Sequence, residues 1–230
     1  MTMISVTTLE GDASFEAYCA EPEGAPRGAI IVIQEIFGVN QGIRRKCDRL
    51  AADGWLALAP DLFWRLQPGI QLDPDVPEEF QTALGWMGKF NQDAGIRDIE
   101  ATIRLAREKS GGKVGVVGYC LGGRLAYMTA ARTDVDASVG YYGVGLNGLL
   151  GEKHGIANPL LLHIPEEDHF VDKTAQAAIH EGLDDHPRVT IYDYPGEDHG
   201  FATEMGKRRS PESADLADER TAEFFAGNLA

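Results

Sequence analysis

Lys113-Val114-Gly115-Val116-Val117-Gly118-Tyr119-Cys120-Leu121-Gly122-Gly123 is the stretch whose reading decides the fold. Residues 113–117 read as a buried strand, and the apolar pattern over 121–131 reads as a helix. Between them stands Gly-x-Cys-x-Gly, a sharp strand-to-helix turn with cysteine where serine is more usual. Residues two before and two after the nucleophile crowd one another in such a turn, so side chains at Gly118 or Gly122 would obstruct it. The turn lifts the Cys120 sulfur above the sheet and sets it at a helix N-terminus. There the positive end of the dipole, about half a unit charge, favours a thiolate. The Leu121 N–H, in the first turn, is free to stabilise a developing oxyanion. The plainer alternative for Cys120 is a small buried residue in an ordinary glycine-rich turn.

Outward from this turn, short apolar runs alternate with longer amphipathic ones. Strands are predicted over 15–20, 29–33, 56–59, 137–141, 160–164 and 188–193. Asn40 is a candidate cap for a helix running to about residue 52, and Gly54 ends it. Further helices are predicted over 78–90, 93–109 with Asp93 as N-cap, 173–182 and 211–226. This alternation predicts an α/β protein, a mainly parallel central sheet with helices on both faces. No repeat, low-complexity tract or linker divides residues 1–230, so a single domain is expected. In such sheets function gathers on the loops after the carboxyl ends of the strands.

The net charge of −15 argues against nucleic-acid binding, which is driven by clustered Lys and Arg, and against anionic membrane surfaces. No apolar run approaches the ~20 residues of a membrane span. The first five residues lack the pattern of a secretory leader, and a cytoplasmic protein is expected. Cys19, Cys47 and Cys120 cannot all pair and are too far apart for a CxxC site, so reduced thiols are expected. Cys19 and Cys47 fall in strand and helix patterns and read as packing residues. No metal is expected, since no residues fall at HExxH or CxxC spacing, and no cofactor, since the glycines at 118, 122 and 123 lack a G-x-G opening.

A thiol nucleophile needs a base, and the base an orienting group. The strand over 160–164 exits through Pro165-Glu166-Glu167-Asp168-His169-Phe170-Val171, 48 residues after Cys120 at Asp168. Asp168 is the preferred acid, because Val171 can pack down while Asp168 turns toward the site; Glu166 and Glu167 read as solvated. The strand over 188–193 leads to Pro195-Gly196-Glu197-Asp198-His199-Gly200-Phe201, which offers His199 as the base. His169 is a candidate for a supporting place nearby. His154, His163, His180 and His186 have no comparable placement.

With these residues in place, the chain resembles the dienelactone hydrolase family of α/β-hydrolases over nearly its whole length. The likeness runs through Gln34-Glu35-Ile36-Phe37-Gly38-Val39-Asn40, Ala59-Pro60-Asp61-Leu62, Gly115 to Gly123 and Gly140-Tyr141-Tyr142-Gly143-Val144-Gly145. It closes with Asp168-His169-Phe170-Val171 and Asp198-His199-Gly200-Phe201. The resemblance implies an α/β-hydrolase fold and a triad of Cys120, Asp168 and His199. It implies that Glu35 helps form and hold the thiolate, that the N–H groups of Ile36 and Leu121 form the oxyanion hole, and that Tyr142 lines the pocket. Taken by itself, Glu35 is an acid at a strand exit, equally open to solvation.

The chain departs from the family at two arginines that bind a substrate carboxylate. Glu78, Glu79 and Phe80 stand where one belongs, and Thr203, four residues after His199, replaces the other. Arg65 and Arg124 are candidate substitutes. A pocket lined by Phe37, Trp64, Phe80, Trp86 and Tyr142 would suit a neutral ester or lactone; core packing is the alternative for each aromatic. The expected reaction is hydrolysis of a small carboxylic ester or lactone through a thioester on Cys120, with weak activity on plain alkyl esters. The alternatives are another small ester or a thioester, a dienelactone hydrolase that uses another cation, and a non-catalytic thiol sensor. A monomer is expected, with a dimer as the alternative.

Overall fold

The apolar runs assemble into an eight-stranded sheet in a computed structural model, which describes residues 2–229. The strands are β1 (Thr2–Thr7), β2 (Ser14–Ala20), β3 (Ala29–Ile33), β4 (Leu56–Pro60), β5 (Val114–Tyr119), β6 (Ala137–Tyr141), β7 (Leu160–Pro165) and β8 (Val189–Tyr194). They lie in the order β1-β2-β4-β3-β5-β6-β7-β8. Only the β1–β2 and β2–β4 pairs are antiparallel, so the mainly parallel sheet is borne out. Strands β3 to β7 are buried along their whole length, as a sheet covered on both sides requires.

Six α-helices supply the cover: α1 (Gln41–Ala52), α2 (Pro77–Lys89), α3 (Gln92–Ser110), α4 (Leu121–Arg132), α5 (Lys173–Leu183) and α6 (Pro211–Leu229). Side chains alternate across the sheet. Ile30 and Val32 on β3 therefore pack in one cluster with Ile43 and Cys47 of α1 and Phe225 of α6. Ile31 and Ile33 pack on the opposite face with Ile99 and Ile103 of α3 and Leu125 of α4. A third cluster sets Leu160, Leu162 and Ile164 of β7 against α5. Fully burying each such aliphatic side chain contributes about 1.5–3 kcal/mol. Cys19 and Cys47 are buried in these clusters, free of any disulfide.

Asn40 caps α1 as expected, its side chain accepting the Ile43 N–H at 3.2 Å. The cap of α3 is corrected: Asn91, not Asp93, accepts the Ala94 N–H at 3.1 Å, while Asp93 pairs with Arg132 at 2.7 Å. Strand β1 escaped the sequence reading because Val6 is its one fully buried residue, too sparse a signal for a strand. The 3-10 helix Leu146–Gly155 escaped it as well, having no apolar face to read. Among the described residues no helix is long and apolar enough to cross a membrane.

Candidate active site

Cys120 stands between β5 and α4, as the N-cap of the helix, with φ 57° and ψ −114°, a positive-φ conformation that non-glycine residues rarely adopt. Its N–H donates to the Tyr141 carbonyl at 3.1 Å, which ties the turn to β6. The flanking glycines are sterically required. A Cβ on Gly118 would lie 1.9 Å from the Gly122 carbonyl oxygen, and one on Gly122 would lie 2.4 Å from that of Ile33. The backbone N–H groups of Ile36 and Leu121 donate to no acceptor among the described residues. Both are available to a ligand.

Asp168, in the loop after β7, accepts His199 Nδ1 at 2.9 Å with its Oδ2. Its other oxygen accepts the N–H groups of Phe170 and Val171 at 2.8 and 3.2 Å. Val171 is buried beneath the loop, so the carboxylate is fixed from below as the spacing suggested. Buried His199 stands edge-on to Tyr142 and Phe170, with ring centroids 5.0 and 4.8 Å away. Its Nε2 has no aligned hydrogen-bond partner and turns toward the Cys120 sulfur. Burial opposes a charge on His199, but the Cys120 sulfur and the Asp168 carboxylate outweigh it and push the imidazole up to about 10. The arrangement stabilises an imidazolium at His199.

Cys120 and His199 border a cavity of about 300 Å³, which Glu35, Ile36, Phe37 and Phe80 also line. Phe37 and Phe80 pack with centroids 5.8 Å apart. Glu35 is buried at the exit of β3, and burial pushes its carboxyl up against the pull of His199, Lys46 and Arg208.

The other expected pocket aromatics are not on this wall. Tyr142, at φ 38°, lies beneath His199 rather than on the cavity surface. Trp64 stacks on Phe15 at 5.6 Å and donates Nε1–H to Asp98 at 2.9 Å, away from the cavity. Trp86 also lies elsewhere, because the phase of α2 turns Phe80, Leu84 and Met87 inward at i, i+4 and i+7. Arg65 is held by Asp98, and Arg124 by Gln92 Oε1 at 2.6 Å and the Val144 and Gly145 carbonyls. Neither substitutes for the missing arginines.

The cavity has cations that the sequence reading overlooked. Lys207 and Arg208 line it from the segment before α6, and neither side chain forms an ion pair with a described residue. The Arg208 guanidinium lies 5.8 Å from the Phe80 ring and 6.0 Å from that of Phe170. The signal was the run Lys207-Arg208-Arg209 in an otherwise acidic tail; of the three, Arg209 is spent on Glu204 and Asp215 at 2.8 Å each. The residues best disposed toward a metal are Asp168, His169 and Asp198, with ligand atoms within 4.8 Å of one another. Asp168 already serves His199, and Asp198 accepts His169 Nδ1 at 2.7 Å.

The family model of the dienelactone hydrolases matches residues 15–229. The chain belongs to the dienelactone hydrolase family. It is thus a carboxylic ester hydrolase, as the motifs implied. A relative in Azospirillum brasilense, provisionally named carboxymethylenebutenolidase, is 46% identical over 236 aligned positions covering all of both chains. The carboxymethylenebutenolidase of Pseudomonas putida is 40% identical over 97% of this chain and 95% of its own. Among solved structures, a provisionally named dienelactone hydrolase of Klebsiella pneumoniae superposes with a TM-score of 0.80 at 27% identity. That match covers 98% of this dienelactone hydrolase family member and 99% of the other chain.

Proposed function

We propose that this enzyme hydrolyses a small enol lactone bearing a carboxylate, by acyl transfer through Cys120. The observation that carries the reading is the line from Asp168 through His199 to Cys120 at the wall of a cavity with two free backbone N–H groups. On substrate binding, Glu35 takes the thiol proton: the S–H bond breaks and an O–H bond forms on the carboxylate. The thiolate attacks the lactone carbonyl, and the N–H groups of Ile36 and Leu121 hold the oxyanion. Collapse forms a thioester on Cys120 and expels the enolate oxygen, which takes its proton from the imidazolium of His199. Neutral His199, oriented by Asp168, then removes a proton from water; the hydroxide attacks the thioester, and the thiolate leaves and recovers its proton from Glu35. A thiolate leaves more readily than an alkoxide, so an alkyl ester tends to re-form, whereas an enol departs for good.

The carboxylate on the substrate rests on Arg208 and Lys207. A chain of net charge −15 that leaves two cations unpaired at one cavity supports an anionic ligand there. The relatives' name, carboxymethylenebutenolidase, describes such a molecule, a butenolide with an acid group. This replaces the neutral pocket expected from Thr203 and the 78–80 stretch. The test is turnover of an acid-bearing enol lactone by native protein and Cys120→Ala, with mass spectrometry of the quenched native enzyme. Loss of turnover in the variant and an acyl mass on the Cys120 peptide are expected; turnover that survives in Cys120→Ala would sink the reading.

A further inference from the structure

Beside the substrate cavity lies a small space of about 10 Å³, bordered by Glu35, Lys46, Tyr119, Tyr142, Thr203 and Glu204 among others. It has room for one water molecule. Lys46 projects into this region from α1 and is only 4% exposed. Its Nζ has no hydrogen-bond partner among the described residues; it lies 3.7 Å from Glu204, 3.8 Å from Asp218 and 4.3 Å from the centre of the Tyr119 ring. Those two carboxylates are already served. Arg49 contacts both, Arg209 reaches Glu204 at 2.8 Å, and the Tyr141 hydroxyl donates to Asp218 at 3.1 Å. A buried ammonium without a hydrogen bond weakens a fold, and an apolar side chain would serve packing better. The Tyr142 hydroxyl on the same space is also without an aligned partner, yet close enough to Glu35 to favour its charged form.

We propose that Lys46 is a positioning residue, the counter-charge of Glu35, acting across the small space it shares with Glu35 and the Tyr142 hydroxyl. The inference rests on the reading of Cys120 as nucleophile and Glu35 as acceptor of its proton. Glu35 performs that step only as a carboxylate, and burial works against this. Four neighbours oppose burial, namely His199 from the loop after β8, Lys46 from α1, Arg208 from the segment before α6 and Tyr142 from the loop after β6, whereas the Glu204 carboxylate on the same space acts with burial. Burial lowers Lys46 from the ordinary lysine range, and Arg49 and Arg209 act the same way, while Asp218 and Glu204 pull it toward its charged form. Of the cations around Glu35, His199 transfers protons and Arg208 is open to the substrate. Lys46 alone stays out of reach of both.

The experiment compares pH profiles of kcat/KM, on the acid-bearing enol lactone, for native enzyme, Lys46→Met, Lys46→Gln, Lys46→Arg, Glu35→Gln and the double variant Lys46→Met/Glu35→Gln. In Lys46→Met and Lys46→Gln the acid limb moves up by about one pH unit, which lowers the rate about tenfold on that limb. Lys46→Arg restores most of the loss. In the Glu35→Gln background, Lys46→Met adds less than about twofold, because the group it acts through is gone. Thermal unfolding of Lys46→Met comes at or above the native midpoint. An unmoved acid limb in both neutral variants, or a full further loss in the double variant, overturns the proposal. Cys120→Ala separates the two levels: an inactive Cys120→Ala with a native profile for Lys46→Met and Lys46→Gln removes Lys46 alone, whereas an active Cys120→Ala removes the reading beneath it.

Discussion

His163, within β7, and His199, in the loop after β8, are both nearly sealed from solvent, at 1% and 4% exposure, but they sit in different company. His163 meets hydroxyls, Tyr194 at 2.8 Å and Thr221 at 2.9 Å. Burial, with Arg220 and Lys46 nearby, drives it down to about 3. His199 meets anions, and they overcome the same burial to push it up to about 10. Desolvation acts alike on both rings; partner charge decides which one carries a proton at neutral pH. The hydroxyl-lined region belongs to the packing of β7, β8 and α6, and the anion-lined region borders the cavity.

The sharpest way to break this comparison is to remove the charged member. His199→Ala should lower kcat/KM on the enol lactone by roughly 10³–10⁴-fold, and a loss under tenfold would leave the anion-lined region without a chemical role. Asp168→Asn should cost somewhat less and should also reshape the alkaline limb. With its raised value, His199 stays protonated to about pH 10, so removing one supporting anion should bring that limb down. The native charge pair contributes stability that is complete below the ordinary histidine value of about 6.5 and is lost as pH rises through about 10. Melting curves of native and Asp168→Asn protein should therefore converge at high pH.

Smaller effects probe the cavity wall and the neutral ring. Arg208→Met should raise KM for an acid-bearing lactone by about 10–100-fold, the worth of one charge-assisted contact, and leave a neutral enol ester nearly unaffected. Equal losses on both substrates would assign Arg208 to the fold. His163 works in the opposite sense to His199. Its folded value is depressed, so its contribution is full above about 6.5 and is lost as pH falls toward about 3. Below 6.5 it should tilt stability by up to about 1.4 kcal/mol per pH unit. His163→Gln should flatten the acid unfolding profile by that one proton; an unchanged slope would mean that His163 charges without unfolding the chain.

Legibility in the sequence followed the range of the interaction. The Gly118-x-Cys120-x-Gly122 turn could be read directly, because its crowding involves atoms a few residues apart. Asp168 and His199 could be placed because a parallel sheet delivers the end of each strand to one edge, and chain order then ranks the loops. Trp64 and Trp86 were misplaced because composition says an aromatic is present but not which way a helix or loop turns it. The N-cap of α3 was shifted by two residues, since Asn91 and Asp93 are both good caps and the packing of the helix selects between them.

The sequence by itself determined the alternation of strands and helices, the elbow at Cys120, the order of acid and base, and the family. Each is written in local spacing or in chain order. Tertiary structure alone decided the charges that surround the chemistry. Arg208 reaches the cavity from the segment before α6, Lys46 approaches Glu35 from behind through α1, and Tyr142 lies beneath His199 rather than on the wall. Electrostatic interactions act through space between residues far apart along the chain, and no spacing rule records which of them folding brings together.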